Sequence, residues 1–126
     1  YTEYRLNNKD GYKFKKSYPY PTGENTLGLN CLNDCNFAYP SKYSKFLLRG
    51  YGHVSTSSTK MGINGLYDMG GNVWEWVDIN DNFYKGTKGG SWWYGKNQMI
   101  QGYNATKPKN MSAVYIGFRC VKDFKN

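Results

Sequence analysis

Residues 65–76 read GLYDMGGNVWEW and form the most informative stretch of the chain. The glycine-rich start is typical of a turn, and the residues after it alternate as a β-strand does. In such a strand the side chains of Asn72, Trp74 and Trp76 share one face, while Glu75 points to the other. The stretch therefore predicts a turn leading into a strand that has two tryptophans as core anchors and a carboxylate in need of a partner.

Two further motifs follow this stretch. Residues 88–92, KGGSW, predict a second strand whose glycines allow another backbone to approach closely. Residues 116–121, IGFRCV, alternate again and predict a third strand with Phe118 and Cys120 on one face. Residues 93–115 have no clean period, and a connection this long within a compact domain is usually functional or disordered. The pattern favours an α+β or mostly β domain whose function resides on residues 93–115.

The composition is that of a small, aromatic-rich domain. The chain has 126 residues, the usual size of one domain, and Leu, Ile, Val and Phe together supply only 22 of them. Aromatic residues make up 18%, and each buried ring removes on the order of 150–250 Å² from water, so a few rings can supply a core. No apolar run approaches the roughly 20 residues that span a bilayer. We therefore expect a single domain over residues 1–126 and no membrane span.

The charge pattern indicates a solvated basic surface and not a nucleic-acid site. The net charge is +8, but the lysines are dispersed and no block reaches five like charges. No nucleic-acid-binding motif accompanies them. We therefore expect no nucleic-acid partner, while an acidic partner stays open.

The three cysteines, Cys31, Cys35 and Cys120, exclude a complete disulfide framework because their number is odd. Cys31 and Cys35 are spaced as C-x3-C, but His53 is the only histidine and a zinc site needs four ligands. Two interpretations stay open: buried small apolar side chains, or one disulfide with one free thiol.

The three motifs, in this order, resemble the formylglycine-generating-enzyme (FGE-sulfatase) family. The resemblance covers residues 64–120, and residues 18–23 are a weaker echo of an upstream family segment. It implies an irregular C-type-lectin-like fold of the α+β class. The version is short, because the family's RLPTEAEWE-like segment is not recognisable in the divergent or truncated residues 1–63. Residues 64–126 are then the motif-bearing part of the domain.

The resemblance also implies a structural calcium site. Family members use the side chains at the positions of Asp68 and Glu75 and the carbonyl oxygens at those of Gly71 and Val73. Carboxylate and backbone oxygens suit a hard cation. The alternative is that Glu75 accepts hydrogen bonds from backbone amides of the adjoining loop. No cofactor other than calcium is expected.

The catalytic residues of the resembled enzymes are missing. Those enzymes oxidise a substrate cysteine to formylglycine and resemble copper oxidases with two cysteines just after the GGSW-like motif, since soft thiolates suit Cu(I). The matching positions are about Tyr94 and Met99, and no cysteine lies between Cys35 and Cys120. His53 alone cannot supply the histidine-ligated iron site of the sulfoxide-synthase relatives. The resemblance therefore implies a protein that is not an enzyme.

Some members of this fold bind ligands, and the chain resembles the variable proteins of diversity-generating retroelements, carried by phages, archaeal viruses, bacteria and archaea. Those proteins have a GGSW-like start, a hypervariable stretch and a GFR-like end, and their genetic mechanism randomises adenines, typically in Asn codons. The resemblance implies that residues 93–115 are the variable region. Residue types that such codons cannot reach would be fixed framework: Trp93, Lys96, Gln98, Met99, Gln101, Lys107, Lys109 and Met111. The reachable residues would be the variable, ligand-binding positions: Tyr94, Gly95, Asn97, Ile100, Gly102, Tyr103, Asn104, Ala105, Thr106, Asn110, Ser112, Ala113, Val114 and Tyr115.

The sequence thus predicts a non-catalytic protein that displays a variable binding surface. Tyr94, Tyr103 and Tyr115 offer rigid contact area, and the neighbouring asparagines offer adaptable hydrogen bonds, a mixture typical of paratopes. We expect a protein or cell-surface ligand, while the location stays open, with a virion or cell surface as one option. Two alternatives stay open: a divergent formylglycine-generating-type oxidase and a structural accessory domain.

Overall fold

Two β-sheets and long loops make up the described part of the protein. The computed structural model describes residues 2–7, 11–36, 47, 49–78 and 83–123. Near the N-terminus, strands β1 (Thr2–Asn7) and β2 (Gly11–Ser17) form an antiparallel hairpin whose register shifts between Arg5 and Leu6. Such a shift adds a local twist to the hairpin.

The second sheet is mixed and carries the motif-bearing half of the chain. Its strands are β3 (Trp74–Val77), β4 (Tyr84–Lys88), β5 (Ala105–Pro108) and β6 (Ile116–Gly117). Their spatial order is β5-β4-β3-β6, with β6 parallel to β3 and the other pairs antiparallel. The strand predicted from GLYDMGGNVWEW is therefore confirmed and lies inside the sheet.

The helical content of the described residues is a single 3₁₀ helix, Lys96–Met99. The predicted α+β class is therefore confirmed for its β-sheet, whereas the described part of the chain contains no α-helix. None of the described residues belongs to a helix with the length and apolar character needed to cross a membrane.

The strand predicted over KGGSW ends where the motif begins. β4 stops at Lys88, because Gly89 and Gly90 have φ of +93° and +69°, outside the extended region. The predicted close approach of another backbone is confirmed. A Cβ on Gly89 would lie 2.7 Å from the carbonyl oxygen of Met69. The glycines thus serve contact with the preceding loop and do not extend the strand.

The strand predicted over IGFRCV is also wrong in extent. β6 contains only Ile116–Gly117, and the Phe118 and Cys120 side chains are exposed. The reason is the intervening Arg119, whose guanidinium turns back to pair with Glu75. This ion pair directs the alternate side chains towards solvent, so the period-2 pattern does not mark a core strand here.

The core combines two tryptophans with a small cluster of apolar side chains. Trp74 and Trp92 are each 1% exposed, as is Leu29, which packs with Met99 and Cys31. The prediction of a core anchor is confirmed for Trp74. The other predicted anchor, Trp76, is only half-buried.

The cysteines follow the second of the two open interpretations. Cys31 and Cys35 form a disulfide with their Cα atoms 5.2 Å apart, and Cys120 is a free, exposed thiol. The disulfide closes a short loop next to the Leu29–Met99 cluster, because Cys31 belongs to that cluster and Cys35 packs against it.

Two residues of GLYDMGGNVWEW hold the neighbouring loop in place. Asp68 and Asn72 adopt φ of +58° and +61°, a conformation that short polar side chains tolerate better than others. The Asn72 amide accepts from the Val54 N–H (2.9 Å) and donates to the Val54 carbonyl (3.2 Å). The Asn72 N–H donates to the Asn30 carbonyl (2.7 Å). The motif thus joins three segments of the fold at the start of β3.

Candidate functional site

Residues 93–115 begin and end at the same place in the fold. The Trp92 N–H donates to the Asn72 carbonyl (2.8 Å), and the Tyr115 carbonyl accepts from the Trp74 N–H (2.7 Å). The Trp92 indole N–H also donates to the Val114 carbonyl (3.1 Å). Both ends of the segment are therefore tied to the start of β3 and to each other.

The loop around the Cys31–Cys35 disulfide is hydrogen-bonded to the first part of residues 93–115. The Leu32 N–H donates to the Tyr94 carbonyl (3.0 Å), and Asp34 accepts from the Lys96 N–H (3.1 Å). At the end of the 3₁₀ helix, Met99 is fully buried in the core cluster. The segment predicted to lack structure thus contains a 3₁₀ helix and β5, because neighbouring segments supply the partners that its own sequence does not.

None of the fourteen predicted variable residues is buried. Exposed side chains or backbone are found at Asn97, Ile100, Gly102, Tyr103, Asn104, Thr106, Asn110, Ser112 and Val114. Half-buried are Tyr94, Gly95, Ala105, Ala113 and Tyr115. Of the eight predicted framework residues, Met99 is buried, Trp93, Gln98, Lys107 and Met111 are half-buried, and Lys96, Gln101 and Lys109 are exposed. The one buried residue among these, Met99, thus belongs to the framework set. Both sets contain half-buried and exposed residues, so exposure alone does not distinguish them.

Four rings of the segment, Trp93, Tyr94, Tyr103 and Tyr115, form a connected group that we call the aromatic surface. Tyr94 packs edge-on against the buried Trp74 ring (centroids 5.2 Å apart) and against Tyr115 (5.8 Å). Tyr103 lies 6.3 Å from Trp74, and Trp93 lies 5.8 Å from Tyr115. These distances are those of favourable aromatic pairs. The rings therefore hold one another in place while remaining at least partly open to solvent.

Two cations lie against these rings. The Lys107 ammonium is 4.5 Å from the Trp74 ring centroid and 5.9 Å from that of Tyr94. The Arg49 guanidinium lies 5.6 Å from the Trp93 centroid. Cations at this range are attracted to the ring faces. The candidate site is thus both aromatic and positively charged.

Partial burial at the aromatic surface also shifts the pKa of two side chains, Tyr94 and Lys107. Burial raises the pKa of the Tyr94 phenol above its ordinary value of 10.0, and the charge and hydrogen bond of Tyr115 raise it further. Burial lowers the pKa of the Lys107 ammonium below 10.5. Both shifts disfavour the charged form, as expected for groups partly removed from water.

We expect the Tyr94 phenol to make the fold less stable at alkaline pH. Because its pKa is raised in the fold, its contribution to stability is fully present below pH 10.0 and is lost as the pH rises through the folded-state pKa. Urea unfolding measured from neutral to alkaline pH checks this. The Tyr94→Phe variant should lose less stability above pH 10.0 than the wild type, while Tyr84→Phe, on an exposed ring, should follow the wild type. Identical pH profiles for all three proteins would contradict the assignment.

One family model matches the chain, that of the sulfatase-modifying factor enzyme 1-like domain (FGE-sulfatase), over residues 8–124. The chain belongs to this family. The match includes most of residues 1–63, where the sequence alone offered only a weak echo of family segments. No curated protein matches the chain.

In this FGE-sulfatase domain, the two positions where the resembled enzymes carry copper-binding cysteines lie in different environments. Tyr94 is part of the aromatic surface, whereas Met99 is fully buried beside Leu29 and Cys31. Neither side chain is a thiol, Cys31 and Cys35 are joined in a disulfide, and Cys120 is a single exposed thiol. The arrangement offers no pair of thiolates at these positions.

The residues of the implied calcium site do not fit a cation in this FGE-sulfatase domain. Asp68 accepts hydrogen bonds from the Ser57 N–H (2.9 Å) and the Thr59 hydroxyl (2.5 Å). Glu75 is bound at both oxygens by the Arg119 guanidinium, at 2.7 and 2.6 Å. The guanidinium already supplies the positive charge that a calcium ion would bring.

The two backbone members of the implied calcium set, Gly71 and Val73, flank Asn72 in the loop before β3, and Val73 is half-buried. Asp68 and Glu75 do line one cavity of about 360 Å³, which also includes Phe118 and Arg119. In the described ranges, no group of three or more His, Cys, Asp or Glu side chains is placed to hold a metal ion. Glu75 therefore has a side-chain partner, which neither sequence-based interpretation named.

Sequence reasoning missed three residues of functional or structural weight. The sequence predicts Lys107 to be framework, gives no role to Arg49, and places Arg119 only within the IGFRCV motif. The available signal for Lys107 was its two-residue spacing from Ala105, since residues so spaced share a strand face. That face is the one occupied by Trp74 and Trp76, as the register of β3, β4 and β5 shows.

Proposed function

We propose that this FGE-sulfatase domain is a non-catalytic ligand-binding protein whose residues 93–115 display a variable surface, as in the variable proteins of diversity-generating retroelements. The observation that carries the proposal is the aromatic surface, a mutually packed group of partly exposed rings anchored on buried Trp74. Rigid tyrosines and tryptophans provide large contact area at a low entropic cost, and the exposed asparagines beside them provide hydrogen bonds.

The way in which residues 93–115 are anchored to the rest of the fold favours the same function. Its two ends are joined at the start of β3, and its buried residue, Met99, packs into the core cluster. Substitutions at exposed positions usually change stability by less than about 0.5 kcal/mol, whereas loss of a buried methionine side chain costs roughly 2–5 kcal/mol. A surface of this kind can change its residues without losing its fold.

The enzyme alternative has less support from the residues. Copper-dependent oxidation of a cysteine needs two thiolates, and the chain has none at the matching positions, Tyr94 and Met99. The structural accessory domain is the second alternative. It accounts for the fold but gives no reason for the Tyr103 ring to be exposed beside the half-buried rings of Tyr94 and Tyr115.

Two matched libraries test the proposal. One randomises the fourteen predicted variable positions and the other randomises the eight predicted framework positions, each displayed on yeast or phage and sorted for protease resistance. Most clones of the first library should stay folded, and selection against an immobilised folded protein should yield binders from it. The second library should lose most folded clones, chiefly through Met99.

Three outcomes would overturn the proposal: equal loss of fold in the two libraries, no binders from a folded first library, or catalysis by the unaltered chain. The last is checked directly by incubating the protein in air with Cu(I), a thiol reductant and a cysteine-containing peptide, since the oxidation to formylglycine consumes dioxygen and two electrons. Stoichiometric copper binding with formylglycine formation would favour the oxidase.

A further inference from the structure

Most of the net positive charge of the chain belongs to the part of the sequence that contains the aromatic surface. Residues 82–122 contain six lysines and one arginine but no aspartate or glutamate, so they carry +7 of the net charge of +8. The rest of the chain is nearly neutral. Within this stretch, Lys85 and Arg119 pair with Asp78 and Glu75 from outside it, and the excess of positive charge favours an acidic partner.

Lys107 is the cation that most needs a partner. Its ammonium lies over the Trp74 and Tyr94 rings, and within the described residues it has no carboxylate neighbour. Lys85 stands directly opposite on β4, and like charges opposed across two strands are destabilising. The Lys85 ammonium is 3.5 Å from Asp78, which is 95% exposed, whereas Lys107 is partly desolvated. A bound anion would reduce the repulsion between Lys85 and Lys107 and would compensate for the desolvation of the Lys107 ammonium.

The kind of cation indicates the kind of anion. The planar fork of arginine donates two parallel hydrogen bonds to a phosphate or sulfate group, a geometry that the lysine ammonium does not provide. Here one arginine, Arg49, lies against the Trp93 ring, Arg119 is already bound to Glu75, and the remaining cations of residues 82–122 are lysines. Lysines act as point charges on flexible stems, which suits carboxylates spread over a surface.

Exposed aliphatic side chains next to the rings indicate a protein and not an acidic polysaccharide. Ile100 is 39% exposed and Val114 is 63% exposed. The Ile100 carbonyl accepts from the Tyr103 N–H, and Val114 precedes Tyr115, so both lie beside the aromatic surface. Protein interfaces commonly have such an apolar centre with charged groups around it.

We propose that the aromatic surface binds an acidic protein, with Lys107 pairing with one of its carboxylates beside an apolar contact. This inference rests on the proposed function, because it names the partner of the same surface.

The test uses a random glutamate–tyrosine copolymer as the acidic polypeptide probe, with binding measured on a biosensor. Lys107→Gln should weaken binding about tenfold, in the range expected for a partly desolvated charge pair. Lys60→Gln is the matched control, because it removes one charge from an exposed residue of the loop beside Gly28 and should change binding less than about twofold. Lys107→Arg, which keeps the charge, should retain most of the affinity. Thermal melts of each variant separate lost binding from lost fold.

Several results would overturn the inference. Equal weakening by Lys107→Gln and Lys60→Gln would show that only net charge matters. Tighter binding of heparin, hyaluronate or duplex DNA than of the copolymer would assign the surface to another polyanion. Failure to bind the copolymer, together with binders from the randomised library, would overturn the acidic partner and leave the proposed function standing. Failure of both would overturn both.

Discussion

Replacing Trp92 with alanine is expected to lower the free energy of unfolding by about 3–5 kcal/mol, the cost typical of removing a buried tryptophan. The ring is 1% exposed, and its indole N–H donates to the Val114 carbonyl. The variant would lose the apolar burial and this hydrogen bond at once. Urea denaturation followed by circular dichroism measures the change.

Trp93→Ala is the matched control, since it removes the same side chain one residue later from a half-exposed position. We expect a cost below about 1.5 kcal/mol there, because the Trp93 ring contributes contact with Trp92 and Tyr115 but little full burial. If the two variants were equally unstable, the division between buried support and displayed surface would be incorrect.

Replacing Arg119 with methionine is expected to cost about 2 kcal/mol of stability. Arg119 binds both oxygens of Glu75 and donates to the Tyr67 carbonyl (2.7 Å), and the Glu75 side chain is only 16% exposed. Removing one partner of such a pair leaves the other charge poorly solvated, which costs more than the pair itself contributes. The double variant Arg119→Met with Glu75→Leu should therefore recover part of the loss.

The control for this prediction is Lys85→Met, which breaks the ion pair with Asp78. That pair is long and exposed, so its loss should cost less than about 0.5 kcal/mol. Chemical denaturation in buffers with and without added calcium completes the test. An Arg119→Met variant as stable as Lys85→Met, or a wild type strongly stabilised by calcium, would contradict the assignment of Arg119 as the partner of Glu75.

Local pattern was enough to predict the strand at Trp74 and its buried face, because alternation over a few residues reports which side of a strand is buried. The same reasoning failed at Phe118, which alternates with its neighbours but is 76% exposed. There a contact across 44 positions, between Arg119 and Glu75, decides the direction of the chain. No local period contains that information.

The sequence predicts a solvent-facing segment at residues 93–115 from the motifs on either side of it, and in the structure Tyr103 is exposed. The position of Lys107 against Trp74 depends instead on strand β5. The short sequence of that strand, Ala-Thr-Lys-Pro, does not predict a strand. The strand forms because β4 supplies the hydrogen-bonding partners.

The joining of both ends of residues 93–115 at the start of β3 bears on how the segment can change in size. A chain that leaves and returns to one point can be lengthened at the cost of closure entropy alone, about 0.6 kcal/mol for each doubling of a flexible loop. Gly102 lies between the 3₁₀ helix and β5 and is exposed, with open space around the position where a side chain would begin. Insertions and deletions, and not only exchanges of one amino acid for another, are therefore within reach of this architecture.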